Sequence, residues 1–390
     1  MMVRLLMIKR IFLFFHLLLY TAYAEFDYSI NNTNITSSLS SVLPTEDKEF
    51  LYNYNRLRFQ GDYINENYFS TIIADAVNYL GHNYINSTAY SFVKGQESDT
   101  PFETQTSFNN YYEGEVYAKL YRLYGGYEDN DNRIVVGLQK ITMGVGRIWT
   151  PSDIFNPKNI YALEPDEVFG VAAINYTRHL NETSKLTVVT SQKKDKSFKY
   201  AARYKSFLKF SDVAVDMVSS DDTKMLAYEL EGNLADTGIE LRSEGAFIKS
   251  KLRKSLIQEE NREFFQGIIG ADYGFENGLT LVTEALYSSK SFDYNEIFLN
   301  LDSEIVSNLH FSKFYLAGTL NYSFNIFLDA SLIYIESFNE HNSRFISPSL
   351  SYTLNDFNSF VLSAMLQHGS SGSEFGDLGD SYYFKYVLSF

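Results

Sequence analysis

Nine charged side chains occupy alternate positions in segments whose intervening residues are largely apolar. They are Arg56, Arg58, Lys119, Lys199, Arg203, Lys205, Arg242, Asp212 and Asp216. On a β-strand, alternate residues share one face, so these charges would line one side of a sheet. Rows of fixed charge attract, orient or exclude charged solutes. Lys199, Arg203 and Lys205 could form a basic row facing an anionic solute, but pairing with Asp212 and Asp216 on the next strand is the favoured interpretation.

Segment 144–167, "GVGRIWTPSDIFNPKNIYALEPDE", has the most unusual composition in the chain. It contains the only tryptophan and three of the six prolines, and proline removes the donors that a regular strand needs. The segment is therefore a structured loop. In one interpretation it folds inward and narrows the enclosed space, with Arg147, Trp149, Asp153 and Lys158 as constriction residues. The charges of Arg147, Asp153, Lys158 and Glu164 would then set the field at the narrowest point. In the other, which composition favours, Trp149 and Phe155 pack it over the end of the sheet.

The residues offer little support for catalysis. The sequence lacks the spacings of a zinc site, a phosphate-binding loop or a dinucleotide fingerprint. His368 is followed by Ser370, Ser371 and Glu374, which could place a hydrolytic triad at a rim, but this Gly/Ser-rich stretch is more typical of a flexible connection. We therefore expect no enzyme, no catalytic residue, no cofactor and no metal.

Composition and charge exclude several classes of protein. Aromatic residues make up 16% of the 390 residues, with 31 Tyr and 32 Phe, and cysteine is absent. The net charge of −15 argues against a nucleic-acid partner. Tyrosine and phenylalanine are enriched in strands, so the composition is typical of strands with one wet and one apolar face.

The first 24 residues have the pattern of a cleaved secretory signal peptide. Arg4, Lys9 and Arg10 precede an apolar run, and Ala22-Tyr23-Ala24 supplies the small-residue cleavage site. The alternative is a membrane anchor, but the run is shorter than the roughly 20 residues that span a bilayer. We expect cleavage before Glu25 and a single domain over 25–390.

The rest of the chain alternates with a period of two, which indicates strands. "FYLAGTLNYSF" (314–324), for example, separates Phe314 and Leu316 from Tyr315 and Ala317. About 18 strands are predicted, near 26–37, 50–61, 67–80, 111–124, 133–144, 168–179, 184–193, 197–207, 211–219, 223–233, 238–250, 263–275, 278–288, 310–324, 326–338, 344–354, 358–368 and 381–390. Alternate connections are long, namely 81–110, 145–167, 251–262, 289–309 and 369–380.

The ending "SYYFKYVLSF" resembles the closing strand of Gram-negative outer-membrane β-barrels of the porin-like superfamily. Phe390, Leu388, Tyr386, Phe384 and Tyr382 share its apolar face. The resemblance implies that these five residues form the signal read by the barrel-assembly machinery. It also implies an all-β, transmembrane, antiparallel up-and-down barrel of about 18 strands, with short periplasmic turns and long outer loops.

Together these features predict an outer-membrane channel for passive diffusion of small hydrophilic solutes. The alternative is a non-conducting barrel whose outer loops, especially 81–110 and 289–309, bind a ligand, a partner or a surface polysaccharide. Expected partners are outer-membrane lipid, lipopolysaccharide and the assembly machinery, with a homo-oligomer as a further possibility.

Overall fold

The computed structural model describes residues 25–41, 49–95, 97–339 and 342–390. The predicted signal peptide, residues 1–24, lies outside the described residues. Nineteen strands form one antiparallel sheet: β1 (Glu25–Ser40), β2 (Glu49–Asn65), β3 (Tyr68–Leu80), β4 (Gln105–Tyr111), β5 (Gly114–Glu128), β6 (Asn132–Gln139), β7 (Val171–Asn181), β8 (Ser184–Gln192), β9 (Phe198–Leu208), β10 (Ser211–Ser219), β11 (Thr223–Asn233), β12 (Glu240–Ser255), β13 (Gln258–Gly274), β14 (Leu279–Ser288), β15 (Phe314–Asn325), β16 (Leu328–Phe338), β17 (Ser343–Asn355), β18 (Asn358–Gly369) and β19 (Ser381–Ser389).

The sheet closes into a barrel between its first and last strands. β1 pairs with β2 on one side and with β19 on the other, where Asn31 lies opposite Ser389 and Leu39 opposite Ser381. The wall has 18 strands, which confirms the predicted up-and-down barrel. Closure pairs the edges of the first and last strands with each other, as a wall in hydrocarbon requires.

Strand β4 is the extra element, and the sequence reading placed it inside a long loop. It pairs with the part of β5 near Lys119, whereas β6 pairs with β5 only from Leu123 onward. β4 therefore covers the stretch of β5 that the short strand β6 leaves open. β6 ends at Gln139 and β7 begins at Val171, so the predicted strands 133–144 and 168–179 were too long at these ends.

The two faces of the wall differ in exposure as the alternation predicts. On β15, Tyr315 and Ala317 are 0% and 2% exposed, whereas Phe314 and Leu316 are 42% and 46% exposed. The buried set points to the barrel interior and the exposed apolar set points outward. A wall with outward apolar side chains and fully paired backbone is stable in lipid.

Connections at the two ends of the barrel differ in length. At one end, here called the turn end, the hairpins are tight; Glu66 and Lys209 adopt positive φ values of 51° and 46° there, as two-residue hairpins favour. The opposite end, the loop end, carries the long connections 81–104, 140–170, 289–313 and 370–380. The predicted long connection 251–262 was wrong, because β12 and β13 extend through it and leave only Leu256 and Ile257 as the turn.

The loop-end connections carry the helices α1 (His82–Ile85), α2 (Thr88–Gly95) and α3 (Tyr294–Leu299) and a 3-10 turn, Val306–Asn308. Among the described residues, these helices are too short and polar to cross a bilayer. A hydrophobic core lies inside the barrel, where Phe155 and Ile305 pack on small inward side chains such as Ala227 and Ala246. Two loops therefore fill part of the interior.

Candidate pore and constriction

Residues 140–170, here called the lumen loop, leave and rejoin the wall at one point. Gln139 at the end of β6 pairs with Val171 at the start of β7. Between them, the loop makes hydrogen bonds to inward side chains of β2, β9, β11, β12, β14 and β19. These strands lie all around a closed wall, so the loop crosses the barrel interior.

Three wall carboxylates hold the first half of the lumen loop. Glu229 on β11, Glu244 on β12 and Glu284 on β14 are 1%, 0% and 1% exposed. They accept hydrogen bonds from the backbone N–H groups of Gly144 (2.6 Å), Val145 (2.8 Å), Gly146 (3.1 Å), Arg147 (2.9 Å), Ile148 (3.2 Å), Trp149 (2.7 Å) and Ser152 (2.7 Å). An irregular segment lacks ladder partners, and these charge-assisted bonds supply them.

Gly144 is required by this anchoring geometry. Its φ is +88°, and a Cβ atom there would lie 2.6 Å from Glu244 Oε2. A side chain would therefore be both strained and in collision with the anchor. The glycine lets the backbone approach the carboxylate closely.

The four loop residues singled out by sequence have different surroundings. Trp149 is buried against Tyr315, with ring centroids 5.7 Å apart. The Asp153 carboxylate is also buried and accepts N–H groups of the loop itself, and burial raises its pKa to about 6. Lys158 donates to the Gly146 carbonyl at 2.8 Å. Arg147 and Lys158 are the exposed members of the four, and Arg147 lies beside Glu240 at 2.6 Å and Asp272 at 3.2 Å.

The second half of the loop contacts a basic group on the opposite wall. The Arg56 guanidinium donates to both oxygens of Glu164, at 2.9 and 3.1 Å, and Lys385 Nζ lies 2.9 Å from Glu164. Arg58 holds Asp75 at 2.7 Å and Glu167 at 2.8 Å. Such paired fork contacts fix geometry as well as charge.

The basic side chains of the wall lower the pKa of Glu167. Burial alone would raise it, but hydrogen bonds from Arg58 and the nearby charge of Arg56 outweigh burial and hold the pKa at about 2. Glu167 is therefore a permanent anion at neutral pH.

A cavity of about 350 Å³ lies between loop residues 163–167 and the wall where β19, β1 and β2 meet. Its charged lining consists of Arg56, Arg58, Lys385, Glu164, Asp166 and Glu167. Both signs of charge face this space. The cavity is the clearest candidate for a solute-accessible passage.

The remaining candidates are paired with neighbours on or near the wall. Lys205 contacts Asp212 at 2.5 Å and Arg203 contacts Asp216 at 3.5 Å, as the pairing interpretation predicts. The other three are held elsewhere: Lys119 over the Phe169 ring at 4.4 Å, Lys199 on the Ile154 carbonyl at 3.0 Å, and Arg242 beside Asp272 and Glu284. These side chains form no free basic row.

Sequence reading missed Glu284, Asp75 and Glu167 as site residues. Glu284 was detectable as the one charged residue of "LTLVTEALYS", but the loop N–H groups that it binds lie more than 130 positions away. Near His368, Glu374 is half-buried and accepts hydrogen bonds from Tyr315 and Ser337 at 2.7 and 2.8 Å. These contacts give Glu374 a packing role.

No family model matches the chain, and no curated protein matches it. Solved structures do. Acinetobacter baumannii OccAB1 aligns with a TM-score of 0.61 at 9% identity, over 95% of this chain and 97% of that one. The chain has the fold of the outer-membrane porins. Pseudomonas aeruginosa OccK9 (OpdG) gives 0.58 at 10% identity over 94% and 98%. Pseudomonas aeruginosa OpdK, solved with vanillate, gives 0.53 at 9% over 93% and 98%. The resemblance inferred from the closing strand is thereby confirmed at the level of fold.

Proposed function

We propose that the protein is an outer-membrane channel for passive diffusion of small hydrophilic solutes, narrowed by the lumen loop. The observation that carries the proposal is the charged cavity between loop residues 163–167 and the wall of a closed barrel. An apolar outer surface and a polar, charged inner space suit a barrel that admits water. The porin fold adds support.

The passage is off-centre. Strands β7 to β13 are covered on their inner side by an apolar core that contains Met143, Phe155 and Ile305. The charged cavity lies on the other side, at β19, β1 and β2. Solutes would pass between Arg56, Arg58 and Lys385 on the wall and the carboxylates of the loop.

Single-channel recording in a planar bilayer under a salt gradient tests the proposal. Purified protein, with folding verified by heat-modifiable gel mobility, should give discrete conductance steps. The Glu164→Gln/Glu167→Gln variant should shift the reversal potential toward anion selectivity, because the basic wall then lacks its counter-charges. Folded protein without any steps would contradict the channel, and the outer loops would then become the candidate binding sites.

No catalytic role is proposed, because the groups near His368 serve packing.

For assembly, we propose that the outward face of β19 is the signal for the barrel-assembly machinery. Phe384 and Phe390 are 46% and 68% exposed on that face. Phe390→Ser should reduce the amount of folded barrel in cells, with refolding of the purified chain as the control.

A further inference from the structure

The outer face of β1, β2 and β3 carries polar side chains at positions where the rest of the wall is apolar. Thr33 pairs with Arg56, and Arg56 pairs with Val77; these residues point inward and are buried. The next register row, Asn34, Asn55 and Asn78, must then point outward.

Four asparagine amides of β1 and β2 form a hydrogen-bonded group on the outer surface. Asn32 and Asn34 of β1 with Asn53 and Asn55 of β2 are here called the amide patch. Asn53 donates to Asn34 at 2.9 Å and Asn34 to Asn53 at 3.2 Å. Asn32 donates to Asn55 at 3.2 Å, and Asn53 also donates to Thr36 at 3.0 Å.

Apolar side chains surround the amide patch. On β2, Leu51 and Leu57 lie on either side of it and are 71% and 46% exposed. On β19, Tyr386 lies opposite Asn34 and Phe384 lies opposite Thr36. The patch is therefore inside the apolar band of the barrel and not beyond its edge.

An amide facing hydrocarbon loses the hydrogen bonds that water would supply. Each asparagine amide can donate two hydrogen bonds and accept two, so bonds within the patch use part of its capacity. Asparagine side chains in a membrane interior bond across protein–protein contacts. The patch thus has more hydrogen-bonding capacity than one barrel uses.

We propose that the amide patch is the centre of a contact between two copies of this chain, related by a two-fold axis. An amide is both donor and acceptor, so the same patch on a second copy is complementary to it, as an isologous contact requires. The patch carries no ionisable group, which makes a charged lipid headgroup a poor occupant. Leu51 and Leu57 would pack around the amides and exclude lipid.

This association is separate from conduction. The cavity lies on the inner face of the same wall region, so each barrel keeps its own passage. A monomer that conducts ions would contradict the contact between two copies and support the channel. A dimer that conducts no ions would support the contact and contradict the channel.

Cysteine cross-linking in membranes tests the contact, because the chain has no cysteine of its own. Asn34→Cys and Asn55→Cys should give a disulfide-linked product of twice the chain mass when cells are treated with copper–phenanthroline. The matched control is Leu226→Cys, 51% exposed on β11, which should remain monomeric. Cross-linking of both asparagine variants no greater than this control would overturn the proposal, as would adducts formed only with other proteins.

The Asn53→Leu/Asn55→Leu variant provides a second test. Wild-type protein in mild detergent should have the mass of two barrels by size-exclusion light scattering, and the variant should have half that mass. Heat-modifiable gel mobility would verify that the variant is folded. A variant that stays dimeric would show that the amides do not hold the contact.

Discussion

At the scale of single residues, two sets of carboxylates hold the lumen loop in different ways. Glu229, Glu244 and Glu284 bind backbone N–H groups of the lumen loop, whereas Glu164 and Glu167 on the loop bind basic side chains of the wall. Carboxylates of the wall therefore hold the first half of the loop, and carboxylates of the loop itself hold the second half. The first set fixes its path, and the second sets the charge beside the cavity.

Glu244→Ala should loosen the first half of the loop. Glu244 accepts three backbone N–H groups and the Ser152 hydroxyl, and each buried donor left without an acceptor costs about 1–3 kcal/mol. We expect a lower free energy of unfolding in guanidinium titrations and noisier single-channel current. Asp329→Ala is the control, since Asp329 is an exposed carboxylate that accepts a hydrogen bond from the nearby Ser323. Equal effects of both substitutions would contradict the anchoring role.

Glu374 should make stability depend on pH. Burial raises its pKa to about 7 from an ordinary value of 4.5, although bonds from Tyr315 and Ser337 lower it somewhat. Because the folded state binds a proton more tightly than the unfolded chain, stability should fall as pH rises from about 4.5 through 7. Unfolding titrations at pH 5 and pH 8 should show this decrease in wild type and a smaller one in Glu374→Gln. Identical pH dependence in the two proteins would refute the role of Glu374 in this loss of stability.

At the scale of elements, the inner faces of the strands differ around the barrel. On β7 to β13 many of the inward residues are small or apolar and are covered by the lumen loop and by loop 289–313. Near β1, β2 and β19 the inward side chains include the charged Arg56, Arg58 and Lys385, which border the cavity. Two loops thus fill one side of the barrel interior and leave the charged cavity on the other.

Ile305→Ala should therefore destabilise the barrel interior. Ile305 in loop 289–313 is 0% exposed within the inner core, and a truncated isoleucine in such a site costs about 2–5 kcal/mol. Phe298→Ala in α3 is the matched control, because Phe298 is 74% exposed and its loss should change the unfolding free energy by less than about 0.5 kcal/mol. Thermal or guanidinium unfolding of the two variants measures the difference. A small effect at Ile305 would mean that the loop is not part of the core.

At the scale of the whole molecule, the passage that we propose along the charged cavity predicts where a bound reagent can block current. Val387 lines the cavity, whereas Leu388 follows it on the outward face of β19. Since native cysteine is absent, Val387→Cys treated with a charged methanethiosulfonate should lose conductance, and Leu388→Cys should not. Unchanged current after verified labelling of Val387→Cys would place the passage elsewhere.

Local residue order is enough to predict the class of fold. Period-two alternation, tight turns at alternate connections and the aromatic closing strand depend on local residue order, because each strand shows its two faces within a few residues. Most strand positions and the pairing of Lys205 with Asp212 followed from that order. The small strand β4 and the long hairpin of β12 and β13 did not, since no local signal separates them from loops.

The arrangement of the barrel interior depends on contacts between residues that are distant in the sequence. Whether segment 144–167 packs over the rim or crosses the barrel depends on Glu244 and Glu284, which lie about a hundred positions or more from the backbone they bind. Likewise, Asn34 and Asn55 become one patch only through the register of β1 and β2. Alternation tells which residues share a face, but contacts across a closed barrel depend on closure and register, which bring together residues that local sequence patterns do not connect.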